Sequence, residues 1–332
     1  MKCHSVKHKP MFCKQNIMTV ALYASLAVLG ACSSSDDGNG AAAGDLSAFN
    51  FNASNSTIAA EIAAAAMSFF PGYHQVSQVV IDKLVNGDPN NSPFPLVGLC
   101  NGGGSATLTW NDIDGNNVLS VDDTASLQFT NCDFDGSGET VTGTVDITAT
   151  SVDLDPPPNS IGYTTSVNLA ISLVPETTTI LANFKATTST QDNIDFTNVY
   201  IAEDAPGQTL TVTENGTEYF KMGCFDVTQT FNVAGIELAP SGAIVASNKV
   251  LSLAGGPSLS FVNDAMNAGT KRLLSISVPA CGSIGSPGGV DDSDGSYMEI
   301  EALGGGNLRL HTFDVNNVET SSVDTTWDLL TD

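Results

Sequence analysis

Val141-Thr142-Gly143-Thr144-Val145-Asp146-Ile147-Thr148-Ala149-Thr150 decides the fold class. Small or apolar residues at the odd positions alternate with polar ones at the even positions. Only an extended strand turns that period of two into one apolar and one solvated face. The alternation recurs on both sides: Ala106, Leu108 and Trp110; Ala125, Leu127 and Phe129; Val167, Leu169, Ile171 and Leu173; Ile180, Ala182, Phe184 and Ala186. Threonine and β-branched residues with one polar face predict antiparallel strands. Turn signals separate them, among them Asp155-Pro156-Pro157-Pro158-Asn159, residues 204–207, and Asn215-Gly216, the last a hairpin signal. Further strands are predicted over residues 219–231, 242–253, 257–262, 272–279, 296–303 and 307–313, with the tail 323–330 around Trp327 as a closing strand. Such long strands predict a mainly β protein: an antiparallel meander forming a curved sheet, a half-barrel or a sandwich.

Before the strands, the period changes. Ile58, Ile62, Ala65 and Phe69 recur at helical spacing in an alanine-rich run, which predicts a helix over 56–69 broken by Pro71-Gly72. Val76, Val79, Val80 and Leu84 give a second helical stripe, stopped at Asn86-Gly87-Asp88-Pro89. One or two short helices in a section over 55–99 are therefore expected to pack on a β-rich body over 100–332, with a subdivision near 205. No repeat stands out. The nearest echo of the Asp loop after Trp110 is Phe313-Asp314-Val315-Asn316-Asn317.

The chain has 332 residues, with 36 Asp+Glu against 11 Lys+Arg and a formal net charge of −25. Its apolar share of 42% belongs to a folded body. The charge excludes nucleic acid as a partner and electrostatic docking on anionic lipid, both of which need clustered cations. Lys2, Lys7, Lys9 and Lys14 all precede residue 32, and no acid does.

After Lys14, the 15 residues 17–31 are uncharged, too short for a membrane span and the right length for a signal-peptide core. They end Leu29-Gly30-Ala31-Cys32, followed by a Ser/Asp/Gly/Asn run. This resembles the lipobox of bacterial lipoproteins; an ordinary secretory signal is the alternative. The resemblance implies a signal peptide over 1–31, cleavage before Cys32, acylation of Cys32, and a flexible tether through 54. Ser33, rather than Asp, after the Cys implies an outer-membrane anchor. Met11 and Met18 are alternative starts. With basic head, lipobox and acidic β body, the chain resembles acidic β-rich outer-membrane lipoproteins of Gram-negative bacteria, a general likeness that implies no activity. Beyond Cys3, Cys13 and Cys32, four cysteines remain, and an even count in an oxidising compartment predicts two disulfides. Of three connectivities, Cys100–Cys132 and Cys224–Cys281 close local units; a zinc site lacks any CxxC pair.

The sharpest chemical motif is Asp112-Ile113-Asp114-Gly115-Asn116-Asn117-Val118-Leu119-Ser120-Val121-Asp122-Asp123. It resembles an EF-hand or dockerin-type calcium loop, which implies calcium held by Asp112, Asp114, Asn116, the Val118 carbonyl, Ser120 and Asp123. Two positions depart from that pattern: Asn117 stands where glycine is usual, and Asp123 where a longer Glu reaches bidentately. The flanks are strands rather than helices, so the other reading is an acidic turn. Asp133-Phe134-Asp135-Gly136 and Asp292-Ser293-Asp294-Gly295 begin the same way but lack the last ligand, and read as plain turns.

Catalytic signatures are thin: no GxSxG, HExxH, Walker A or GxGxxG. Gly102-Gly103-Gly104-Ser105 lacks the lysine of a phosphate loop and reads as a turn. His311, three residues before Asp314, reads as a strand-face histidine rather than a triad member. Tyr219, Phe220 and Phe225 read as core or edge aromatics. Three functions compete. The first is a noncatalytic structural or partner-binding envelope module steadied by calcium. The second is a carrier of lipid or another apolar ligand in a curved-sheet groove, and the third is a hydrolase. An apolar concave face left unfilled favours the second.

Overall fold

The computed structural model describes residues 46–154, 159–190, 196–232, 235–253, 259–262, 265–268, 270–274, 281–284 and 293–331. The presequence, Cys32 and the tether as far as residue 45, and Asp292, lie outside them; the rest of the expected tether, residues 46–54, is not a free linker, because Phe49 and Phe51 are buried in the core. In chain order the elements are β1 (Ser47–Ala48), α1 (Ser56–Asn86), β2 (Phe94–Pro95), β3 (Gly103–Asn111), β4 (Thr124–Asp133), β5 (Thr140–Asp153), β6 (Asn159–Leu173), β7 (Glu176–Thr190), β8 (Phe196–Ile201) and β9 (Thr209–Glu214). There follow β10 (Thr217–Asn232), β11 (Gly235–Ala246), β12 (Lys249–Leu253), β13 (Leu259–Val262), β14 (Ala265–Ala268), β15 (Thr270–Leu274), β16 (Tyr297–Gly304), β17 (Asn307–Phe313), β18 (Glu319–Thr326) and α2 (Trp327–Thr331).

The protein is mainly β, and its strands form an antiparallel meander from β2 through β7. Thirteen pairs, from Thr140–Ser172 to Asp153–Ser160, register β5 on β6, with one bulge after Ala149. The inward faces of β5 and β6, from Val141 to Ala149 and from Ile161 to Ile171, supply Val145, Ile147, Tyr163 and Val167 to the core. β8 and β9 both pair with β7 and with β10, so hydrogen bonding continues across residues 202–208. The sheet runs on through β11, β12, β15, β16, β17 and β18.

α1 makes the sheet curve. It touches both β4 and β17, which lie ten strand steps apart along the ladder. A flat sheet would separate them by roughly 48 Å, against about 10–12 Å for a helix with its side chains. The sheet therefore wraps round the helix. The concave face meets the helix through aromatic rings: Phe70 against Tyr200 and Phe225, and Tyr73 against Phe184 and Tyr200, with centroids 5.0–5.8 Å apart.

The expected break at Pro71-Gly72 does not occur. α1 is one helix of 31 residues with Pro71 inside it. An interior proline costs about 3 kcal/mol. The flanking Met67, Phe70 and Tyr73 are all buried, and that packing outweighs the missing hydrogen bond. A polar pin fastens the same helix. His74 is 4% exposed and stacks on Phe196 and Phe231. Its Nδ1 accepts from Asn198 Nδ2 at 2.8 Å, a role set by Thr188 Oγ1 donating to Asn198 Oδ1. Burial lowers the His74 pKa to about 3, so the imidazole stays neutral.

Two other boundaries differ from expectation. Residues 242–253 are two strands, because Ser247 and Asn248 turn the chain with φ of +48° and +61°. The tail enters as strand β18 but ends as helix α2. Cys100–Cys132 and Cys224–Cys281 are both bonded, with Cα separations of 5.0 and 6.0 Å. Cys281 belongs to a second small cluster with Ala48, Val245, Val250 and Ile284.

Candidate functional site

The Asp112 loop joins β3 to β4. Asp112 and Asp114 fold back on the chain that follows them, and Asp123 reaches back to the chain before it. Asp112 accepts from the Gly115 and Asn117 N–H groups at 2.9 and 2.7 Å. Asp114 accepts from Asn116 N–H and from Ser120 Oγ, and Asn116 Oδ1 accepts from Val118 N–H. Asp123 is 2% exposed and accepts from Ile113 and Ser120 N–H at 2.9 and 3.0 Å, tying the two ends together. Asn117 takes φ of +63°, filling the place of the usual glycine. Leu119 is buried in the core and anchors the loop.

These bonds bring one carboxylate oxygen each from Asp112, Asp114 and Asp123 within 4.8 Å of one another. Asn116 and Ser120 hydrogen-bond to Asp114 beside them. Val118 is brought in through its N–H, and its side chain is exposed. Desolvation would raise the Asp112 pKa, but the N–H groups of Asn117 and Gly115 hold it below the ordinary value. Oxygen donors of this kind suit a hard divalent cation.

The Asp133 turn, after β4, begins with the same residues and does something else. Asp133 is 6% exposed, and its carboxylate accepts from Asp135, Gly136 and Gly138 N–H at 2.7–3.2 Å. The glycine run packs against it. A Cβ at Gly102 would lie 2.3 Å from the Asp133 carboxyl carbon, and one at Gly104, where φ is +74°, would lie 1.9 Å from the Asn131 carbonyl oxygen. Those glycines serve close backbone approach.

A cleft opens where α1 lies across the strand ends of β4 to β10. Phe69 and Val76 of α1 face Phe134, Val145, Leu169 and Ile180 of the sheet across a partly open slot of about 60 Å³. Val167 and Leu169 line it as the groove reading requires; Ile171 is fully buried and Leu173 exposed. A β-bulge between Glu218 and Phe220 puts consecutive aromatics, Tyr219 and Phe220, on the cleft. Phe220 is a core residue and Tyr219 packs at the core's edge, as expected; that both also line the cleft is signalled in the sequence only by two adjacent aromatics in an alternating strand. Glu139 precedes β5 two residues before cleft-lining Val141 and is 9% exposed. Burial first, then Asp135 and Asp133, push its carboxyl up to about 6.

His311 is held by Glu301 and Glu319, each at 3.1 Å, rather than by Asp314. Burial opposes the shift, but those two glutamates raise its pKa. Asp314 instead caps its own turn, accepting from Asn316 and Val318 N–H. No known protein family, curated protein or solved structure matches the chain.

Proposed function

We propose that the protein is a noncatalytic lipoprotein of the bacterial envelope, held at the outer membrane through acylated Cys32, which binds an apolar ligand in the cleft beneath α1. The observation that carries the ligand reading is the cleft. The concave face packs on a single helix rather than on a second sheet, and that helix leaves an opening lined by aromatic and aliphatic side chains. Apolar clefts with a few polar groups at the rim are the usual form of a small-molecule site. The test is binding of octanol to the full chain carrying Cys32→Ser, which keeps the protein free of its own acyl groups. Saturable binding that Ala65→Leu, a substitution filling the cleft from α1, weakens at least about tenfold supports the reading. Binding indifferent to that substitution removes it. The anchor has its own test: Cys32→Ala abolishes acylation and membrane retention, and a protein still acylated overturns it.

A second reading concerns calcium, and the three converging carboxylates of the Asp112 loop favour it. Asp112, Asp114 and Asp123 would hold the ion, with Asn116, Ser120 and the Val118 carbonyl completing the shell. Its contribution is structural: it neutralises crowded charge and locks β3 against β4.

A further inference from the structure

No charged side chain lines the cleft itself, but among the described residues two carboxylates stand just beyond one end of it. Glu61 stands one helical turn before cleft-lining Ala65, on the same stripe of α1. Glu214 ends β9 two residues after cleft-lining Val212 and pairs across the sheet with cleft-lining Thr178. The Tyr219 ring, turned inward by its bulge, lies in the field of both: burial first, then Glu61 and Glu214, push its phenol up to about 12. Glu214 feels exposed Glu176 as well, and burial raises the pKa of both Glu61 and Glu214. None of the ion pairs among the described residues reaches Glu61 or Glu214. Among the described residues, no lysine or arginine lines the cleft.

We propose that the occupant of the cleft is a hydrophobic amine, its apolar body under α1 and its cationic head on the Tyr219 ring between Glu61 and Glu214. This rests on reading the cleft as a ligand site. Two segments distant in sequence, α1 and the β9–β10 hairpin, bring two half-buried carboxylates and an aromatic face to one end of an apolar slot. That is the chemistry that recognises an ammonium group: opposite charge in a partly desolvated place, and a π face for the cation. A fatty acid would set its carboxylate against two others in the same place, which is unfavourable for both. A neutral alcohol would leave the glutamates' desolvation without compensation.

The experiment compares three probes of one chain length, octylammonium, octanol and octanoate, by titration calorimetry on the full chain with Cys32→Ser. Physiological salt screens the general acidity of the surface. Octylammonium is expected to bind at least about tenfold tighter than octanol, and octanoate weaker than both. Glu61→Gln with Glu214→Gln should bring octylammonium down to the octanol level and leave octanol unchanged. Glu218→Gln removes one charge from the same hairpin on the outer face, and should change none of the three. Equal binding of octanol and octylammonium, or an amine preference that survives the double substitution, overturns the amine assignment and leaves the cleft standing. Failure of all three probes to show binding that Ala65→Leu weakens overturns the cleft reading itself.

Discussion

The Asp112 loop and the Asp133 turn flank one strand, β4, and start with the same Asp-x-Asp-Gly pattern. Asp133 spends its carboxylate on three backbone N–H groups and sinks against Gly102. Asp112 bonds two N–H groups, and because Asp123 closes the loop eleven residues later, one of its oxygens lies within 4.8 Å of oxygens from two further carboxylates. An acidic turn that meets its own needs is a structural clip. One that gathers surplus negative charge needs a counterion. The difference lies in what returns to the turn from its far end, not in how the turn begins.

The largest effect expected is at the clip. Asp133→Ala leaves three N–H groups without their acceptor beside the Cys100–Cys132 bond, and should cost about 2–4 kcal/mol in denaturant unfolding. The loss should be equal in calcium and in chelator. A loss that grows with calcium would make the second turn an ion site too. Next comes the ion itself. Calcium at a hundredfold excess over its Kd should stabilise the full chain by about 2.7 kcal/mol, read as a rise in Tm. Asp112→Ala should erase most of that rise, and magnesium should give less. A Tm indifferent to calcium would make the Asp112 loop a clip as well.

Glu139 tests the same neighbourhood with the opposite sign. Its folded pKa of about 6 lies above its ordinary 4.5, so the fold disfavours the ionised form. Stability is therefore lost as pH rises from about 4.5 through 6, and Glu139→Gln should recover about 1 kcal/mol at neutral pH and nothing at pH ~4. Asp112, held below its ordinary value, contributes in the other sense: its stabilisation is present above the unfolded pKa and lost as pH falls through the folded one. A Glu139→Gln profile parallel to wild type would remove the assigned cost. The smallest effect is Asn117→Gly. Glycine accepts φ of +63° without strain but loses the Asn90 Nδ2 contact at 2.7 Å. A change within about 0.5 kcal/mol and an intact calcium response are expected; a lost response would show that the Asn90–Asn117 bond holds the loop in shape.

The strands were legible because period two survives wherever one face is solvated. The expected strand over residues 307–313 is β17 to the residue. Reading failed where backbone conformation carried the turn without glycine, as at Ser247-Asn248, and where packing overruled propensity, as at Pro71. The calcium candidates stood in one contiguous segment, so their spacing was readable. Glu214 and Tyr219 share the hairpin that Asn215-Gly216 signals, but Glu61 stands more than 150 residues earlier, and nothing in the chain's periodicity sets α1 over that hairpin. A bulge, invisible to alternation, turns Tyr219 inward.

β1 enters the sheet parallel to β12, with Ser47 N–H bonded to the Asn248 carbonyl at 3.1 Å and Phe49 N–H to Val250 at 2.8 Å. If the chain is tethered at Cys32, any pull between membrane and protein arrives first at that short pairing. The load then passes to residues 50–55 and the N-terminal turn of α1. Those backbone bonds, the Phe51 N–H bond to Ser296 Oγ and the burial of Phe49 and Phe51 would then all have to give way before tension reached the helix under the sheet.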